Sequence, residues 1–369
     1  MSRLEAVRKW ANVPLILTVA LLLVYGAVVV RSATAGFSAG DAMFQRQLFG
    51  IALGLVLLVV AWTVDYSKLE GWLGPLTVLN ALLIISPRIP GLGVHVSGAT
   101  AWLEVAGVRL FQPSEPAKLV TIVIMAIVIS QYKGNIERWQ DVMRVMLFLA
   151  VPFGLILLQP DLGTGLVFIA ITMGMLLVGG LKARWFVIFA IVGVVGVGVA
   201  FQAGVVAEYQ VNRMLVFLDP EIDPRGAGYN LQQSRIAIGS GGVSGKGLEQ
   251  GTQSNLNFLP ERHTDFIFSV LGEELGFVGT VMLLGLYLAL LMIALEISTS
   301  GRDLLTSLIA VGLISMWTFQ ILQNMGMTMG LMPITGIPLP FMSFGSSFMI
   351  TNLVGTGMLL SIWARRSGA

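Results

Sequence analysis

The chain has 369 residues, 56% of them hydrophobic and only 11% charged, and its 22 basic and 20 acidic side chains leave a formal net charge of +2. A soluble domain carries about a quarter charged residues, so this chain lacks the charge to cover a water-soluble particle, and a mean hydropathy of +0.84 agrees. Cysteine is absent, which excludes a disulfide framework, a thiol nucleophile and a thiolate metal site.

A helix needs about 20 apolar residues to cross a bilayer. Runs of that character fall at 13–30, 48–62, 73–87, 115–130, 142–158, 162–178, 185–202, 277–297, 304–325 and 344–363. They predict an all-α membrane protein of ten transmembrane helices, a single polytopic domain over residues 1–369. The first run is followed by Arg31 and by no A-x-A pattern, so it reads as a retained helix rather than a cleaved signal peptide.

Orientation follows from the short loops. With the N-terminus inside, the inner segments hold Arg3, Arg8, Lys9, Lys68, Lys133, Arg138, Arg144, Lys182, Arg184, Arg302, Arg365 and Arg366. The short outer loops hold Arg31, Arg46, Arg88 and Arg109, with Lys118 at a helix entrance. That bias satisfies the positive-inside rule and places both termini in the cytoplasm of a multi-pass inner-membrane protein.

Three polar interruptions fall on the outer side: 88–118, 203–264 and 332–343. The second, between helices 7 and 8, is too long for an ordinary connection and reads as functional. Near-helical spacing of Tyr229, Leu231, Ile236 and Ile238 predicts a short interfacial helix there, closed by the glycine turn 239–242. The third is rich in proline and is expected to fold back against the membrane surface.

Within these segments the charged residues gather. Phe258-Leu-Pro-Glu-Arg-His-Thr-Asp-Phe-Ile-Phe268 puts Glu261, Arg262, His263 and Asp265 just before an apolar helix, with Thr264 as its cap and Asp265 in its first turn. Asp265 reads either as an acid favoured by the helix dipole or as a carboxylate placed to accept a proton from a sugar hydroxyl. Glu115 and Lys118 lie at i and i+3 on the fourth helix and can pair. Charges inside a bilayer mark cavities or partners, so the pair is either structural or a cation, oriented by Glu115, that holds a phosphate. Asp161, in Gln159-Pro-Asp-Leu-Gly-Thr-Gly165, is a turn residue or a ligand contact, and Arg213 and Arg235 are solvated charges or pyrophosphate contacts. No H-E-x-x-H or Walker pattern occurs, and no nucleic-acid partner is expected.

Several long motifs stand in order along nearly the whole chain: Phe111-Gln-Pro-Ser-Glu-Pro-Ala-Lys118, Gln159-Pro-Asp-Leu-Gly-Thr164, Gly226-Ala-Gly-Tyr229 and Gln233-Ser-Arg-Ile-Ala-Ile-Gly-Ser-Gly-Gly242. Gly251-Thr-Gln-Ser254, Phe258 to Phe266, Gly272-Glu-Glu-Leu-Gly276 and Gly336-Ile-Pro-Leu-Pro340 with Ser343 complete the set. With them the chain resembles the SEDS family (shape, elongation, division, sporulation), in spellings closer to its elongation than to its division branch. The resemblance implies a ten-helix fold and a peptidoglycan glycosyltransferase that polymerises lipid II on the outer face of the cytoplasmic membrane, releasing undecaprenyl pyrophosphate. It also implies a class B penicillin-binding protein as partner, beside other membrane proteins of the elongation complex. The family's essential aspartate falls on Asp265, and its conserved Glu and Lys on Glu115 and Lys118. Substrate contacts are expected at these two residues and at Arg213, Arg235, Ser234, Gln233, His263 and Asp161. Ala101 stands where the family often has arginine. No cofactor is implied with certainty; a divalent cation such as Mg2+ stays open. Two rival readings are a lipid II flippase, which would translocate without making glycan, and a non-catalytic scaffold.

Overall fold

The computed structural model describes residues 10–96, 99–105, 108–202, 208–224, 226–256 and 258–366. Its helices are α1 (Val13–Ala35), α2 (Gly40–Thr63), α3 (Leu73–Ile85), α4 (Ser114–Ser130), α5 (Trp139–Leu157), α6 (Leu162–Val178) and α7 (Ala183–Gln202). They continue with α8 (Glu208–Leu218), α9 (Ala227–Ser240), the short α10 (Thr252–Asn255), α11 (Ile267–Thr299), α12 (Leu304–Met329) and α13 (Ser346–Ala364). Among the described residues, seven helical segments are long and apolar enough to cross a membrane. These are α1, α2, the segment Tyr66–Arg88 containing α3, α5, α11, α12 and α13, and α6 and α7 are shorter apolar helices.

The fold is not wholly helical, which corrects the all-α expectation. Between α3 and α4 lie β1 (Gly93–Val96), β2 (Ala99–Val105) and β3 (Val108–Phe111), an antiparallel sheet in the order β1-β2-β3. Gly93 and Val94 face Leu103 and Trp102 in register, and Leu103 and Glu104 face Phe111 and Arg109. Valine, leucine and aromatic residues suit a pleated ribbon; strands this short give little periodic signal in sequence.

The chain forms two compact units. The first comprises residues 1–63, 212–296 and 317–364; the second, residues 64–211, 297–316 and 365–369. In the second, Ile84, Ala117, Leu149, Ile156 and Phe168 join α3, α4, α5 and α6 in one apolar cluster. α4 is its most enclosed helix, with every residue from Thr121 to Ile129 buried. α7 instead presents apolar residues all round, Val187, Ile191, Val194 and Val197 among them. A helix with no polar face is the kind a lipid environment accepts.

In the first unit α13 is buried along most of its length and packs lengthwise on α2. α11 breaks at Gly276, whose φ of 64° and ψ of −158° no other residue adopts readily. The backbone groups freed by the break are met by the chain after α9. Phe277 N donates to the Gly242 carbonyl (2.9 Å) and Val278 N to that of Val243 (3.1 Å), while Lys246 N and Gly247 N donate to the carbonyls of Glu273 and Glu274 (3.0 and 2.9 Å). The expected helix after Tyr229 is α9, which runs on through Gly239 and Ser240, so its turn begins at Gly241 rather than at Gly239. Residues 203–207 and Arg225 of the long connection lie outside the described residues.

Candidate active site

Asp265 sits in the turn 261–266 that feeds α11, whose first helical residue is Ile267. The turn is built on Glu261, held at a φ of 53°. The Glu261 carbonyl accepts from Thr264 N and Phe266 N, both at 3.2 Å. Thr264 is not the cap expected of it. The helix begins at Ile267, three residues on, so Asp265 stays ahead of the first turn; the Thr264 hydroxyl donates instead to the Glu261 carbonyl (3.2 Å) and carboxylate (3.0 Å).

The turn is anchored within the first unit through the Arg262 side chain and the carbonyls of His263, Thr264 and Asp265. The Arg262 side chain is buried; its Nε donates to the Ala33 carbonyl at 2.8 Å, and its guanidinium lies 4.0 Å over the Phe37 ring, a cation–π contact. The His263 carbonyl accepts from Phe344 N at 2.8 Å. Its ring meets Phe37 edge-on at 5.4 Å and lies 5.3 Å from Phe344. Burial holds the His263 pKa below the usual 6.5, with Glu261 opposing and Arg262 reinforcing the shift; the ring is a neutral brace of the turn. Ser343 Oγ donates to the Thr264 carbonyl (2.6 Å) and accepts from Leu339 N (2.8 Å). Asn324 of α12 donates to the carbonyls of Asp265 and Ile337, both at 2.8 Å. Below the turn, Leu259 and Phe266 join Val216, Leu231, Met327 and Ile334 in an apolar cluster.

The segment 332–343, expected to fold back, lies in a stretch without helix that runs from 331 to 345. It passes beside the aspartate at Gly336, whose φ is 70°. A Cβ built on Gly336 would stand 3.3 Å from Asp265 Oδ2 and 3.8 Å from Arg213 Nη1. A carboxylate and a guanidinium therefore border one Cβ-sized space, kept open by a glycine. Arg213 reaches it from α8 and is partly buried, as is Asp265. Such a space suits a group that gives up a proton on one side and carries negative charge on the other.

The other expected contacts fall elsewhere. Arg235 on α9 is exposed, with its stem beside Gly330, and Gln233 is partly buried. Ser234 is fully enclosed: its hydroxyl pairs with that of Ser269 (2.7 Å) and donates to the Thr328 carbonyl (2.7 Å). That ties α9 to α11 and α12.

In the second unit, Glu115 and Lys118 form a buried ion pair at 2.8 Å near the start of α4. The Glu115 Oε2 has no hydrogen-bond partner. Asp161 caps α6, accepting from Thr164 N (3.0 Å) and Thr164 Oγ1 (2.8 Å).

Sequence reasoning missed Gly336 and Asn324 as parts of the site. The amides Gln320, Gln323 and Asn324 within an apolar helix were the available signal for the second. Among the described residues no three His, Cys, Asp or Glu side chains cluster as metal ligands. Mg2+ is commonly held by one or two carboxylates together with substrate phosphates and water, and Asp265 is the carboxylate at this space that would serve.

A family profile described as Cell cycle protein, for FtsW, RodA and SpoVE, matches residues 10–368. The peptidoglycan glycosyltransferase MrdB of Escherichia coli (strain K12) is 38% identical over 362 residues, spanning 95% of this chain and 93% of its own. Stage V sporulation protein E of Bacillus subtilis (strain 168) is 36% identical over 352 residues, 94% of each chain. Among solved structures, a chain from a work on polymerization and crosslinking by a peptidoglycan synthase complex superposes with a TM-score of 0.82 at 32% identity, over 97% of this chain and 99% of that one. The rod shape determining protein RodA of Thermus thermophilus superposes at 0.72 with 30% identity, over 97% and 98%.

Proposed function

This chain belongs to the FtsW/RodA/SpoVE family of cell cycle proteins, and from that premise we infer that it is a multi-pass membrane peptidoglycan glycosyltransferase of cell elongation with Asp265 as its base. The substrate is lipid II. The 4-hydroxyl of one lipid-linked disaccharide attacks the anomeric carbon of another, a new glycosidic C–O bond forms, and the bond to the pyrophosphate carrier breaks. Asp265 accepts the hydroxyl proton, and the electron pair of the broken bond leaves on undecaprenyl pyrophosphate.

The observation that carries this reading is the shared space at Gly336. An acceptor oxygen there lies within reach of Asp265 Oδ2, and Arg213 stands on the same space to meet developing phosphate charge. An ionised aspartate is a weak base, so its help comes as the bond forms rather than by prior ionisation of the sugar. His263 acts by bracing the turn. Arg235, Gln233, Lys118 with Glu115, and Asp161 are proposed for the substrate's sugar and phosphate groups. No step is assigned to a metal.

The proposed topology has ten crossings, the seven long segments together with α4, α6 and α7. The termini lie in the cytoplasm, and the Asp265 turn at the outer surface of the bacterial cytoplasmic membrane. A class B penicillin-binding protein that crosslinks the new strands is the proposed partner, within an elongation complex of membrane proteins. Purified protein given lipid II should make glycan strands visible on a gel. The Asp265→Ala protein, folded in detergent, should make none. Undiminished polymer from that variant removes the base, and translocation without polymer by the wild type restores the flippase.

A further inference from the structure

We propose that Asn324 is a positioning residue for glycosyl transfer, fixing Asp265 through its main chain. The inference rests on Asp265 being the base. Asn324 is fully buried in α12, where an amide is costly unless its hydrogens are used. Both are used. Nδ2 donates at 2.8 Å to the Asp265 carbonyl and at 2.8 Å to the Ile337 carbonyl. Both partners are pure acceptors, so the group facing them must be the NH2.

Ile337 follows Gly336, and Gly336 borders the space at Asp265 Oδ2. One NH2 group thus spaces the two walls between which the acceptor oxygen sits. A catalytic group on a turn keeps its aim only if something rigid holds the turn. The preceding residues of the turn have anchors of their own; the Asp265 carbonyl is held by a long helix through the Asn324 side chain.

The neighbouring residue provides the control. Gln323 Nε2 donates at 2.8 Å to the Pro333 carbonyl of the same 331–345 segment, so Gln323→Ala removes a comparable anchor without touching the Asp265 turn. Initial rates of lipid II polymerisation per folded protein are compared for wild type, Asn324→Ala, Asn324→Asp, Gln323→Ala and Asp265→Asn, each with its unfolding temperature in detergent. Asn324→Asp keeps the shape and retains at most one donor, its acid proton, where the amide supplies two. Both Asn324 variants should lose kcat by about 10–100-fold, the scale of a roughly 1 Å misplacement, with KM for lipid II nearly unchanged. Gln323→Ala should lower the unfolding temperature and keep kcat.

Asn324→Ser, which retains one donor, serves if the other two do not fold: reduced kcat in that folded protein supports the assignment, and wild-type kcat overturns it. An inactive Asp265→Asn beside Asn324 variants of normal kcat and lowered stability defeats the positioning role alone. An active Asp265→Asn defeats the base, and the inference with it.

Discussion

A single methyl group at Gly336 tests the geometry of the site. Alanine there adds a Cβ 3.3 Å from Asp265 Oδ2 and 3.8 Å from Arg213 Nη1. Two costs follow, and they separate. The backbone cost comes from a φ of 70°, about 1–2 kcal/mol for a residue with a side chain. The second cost falls on the reaction. An oxygen about to lose its proton must come within about 2.6–3.2 Å of the base, and the methyl would occupy that approach. A displacement of about 1 Å costs on the order of 100-fold in rate, or about 2.7 kcal/mol of barrier. Gly134→Ala is the reference, because Gly134 has a φ of 82° and a Cβ there would meet nothing within 4 Å. Both variants should lose similar thermal stability in detergent. Only Gly336→Ala should lose polymerisation of purified lipid II, by about 100-fold per folded protein. Wild-type rates from Gly336→Ala would refute the idea that chemistry takes place in that space.

The remaining predictions concern charge. Burial depresses the His263 pKa below 6.5, so the folded protein binds this proton less readily than the unfolded chain. Its contribution is therefore complete above about pH 6.5 and is lost as pH falls from there towards the folded value. Unfolding temperatures between about pH 5 and 8 should fall on the acid side in wild type and less steeply in His263→Gln; equal slopes would exclude this histidine. Truncating Lys118 to Met strands the buried Glu115 carboxylate and should cost about 3–5 kcal/mol, whereas the double change Glu115→Gln with Lys118→Met should recover most of it. Equal stabilities for the single and double variants would show that the pair is not coupled.

Most of the architecture was legible because a bilayer imposes length and hydropathy on each crossing. The run at 277–297 began just after the Gly276 break. The half-helix Ile267 to Leu275 before it matches the apolar helix expected after Thr264, but its junction with that run across Gly276 was not anticipated. The sheet was missed because strands of four to seven residues leave too little alternation to stand out from loop. At the site, Asp265 and Arg213 were legible as charged residues of the long outer connection, and Asp265 also through the motif that carries the family resemblance. That Gly336 would draw them to one space was not, because the fold brings together residues from three distant stretches. Ser234 lies in a motif from which a substrate contact was expected, and its hydroxyl turns inward to tie helices, an orientation that linear sequence does not display.

The direct test of Asp265 as base is the initial rate of glycan formation by purified Asp265→Asn, which keeps the side chain's shape and removes its proton affinity. With folding matched to wild type by thermal unfolding and lipid II saturating, the expected rate is lower by about 100-fold or more, the scale of a lost general base. A rate within a few-fold of wild type would contradict the role given to this carboxylate.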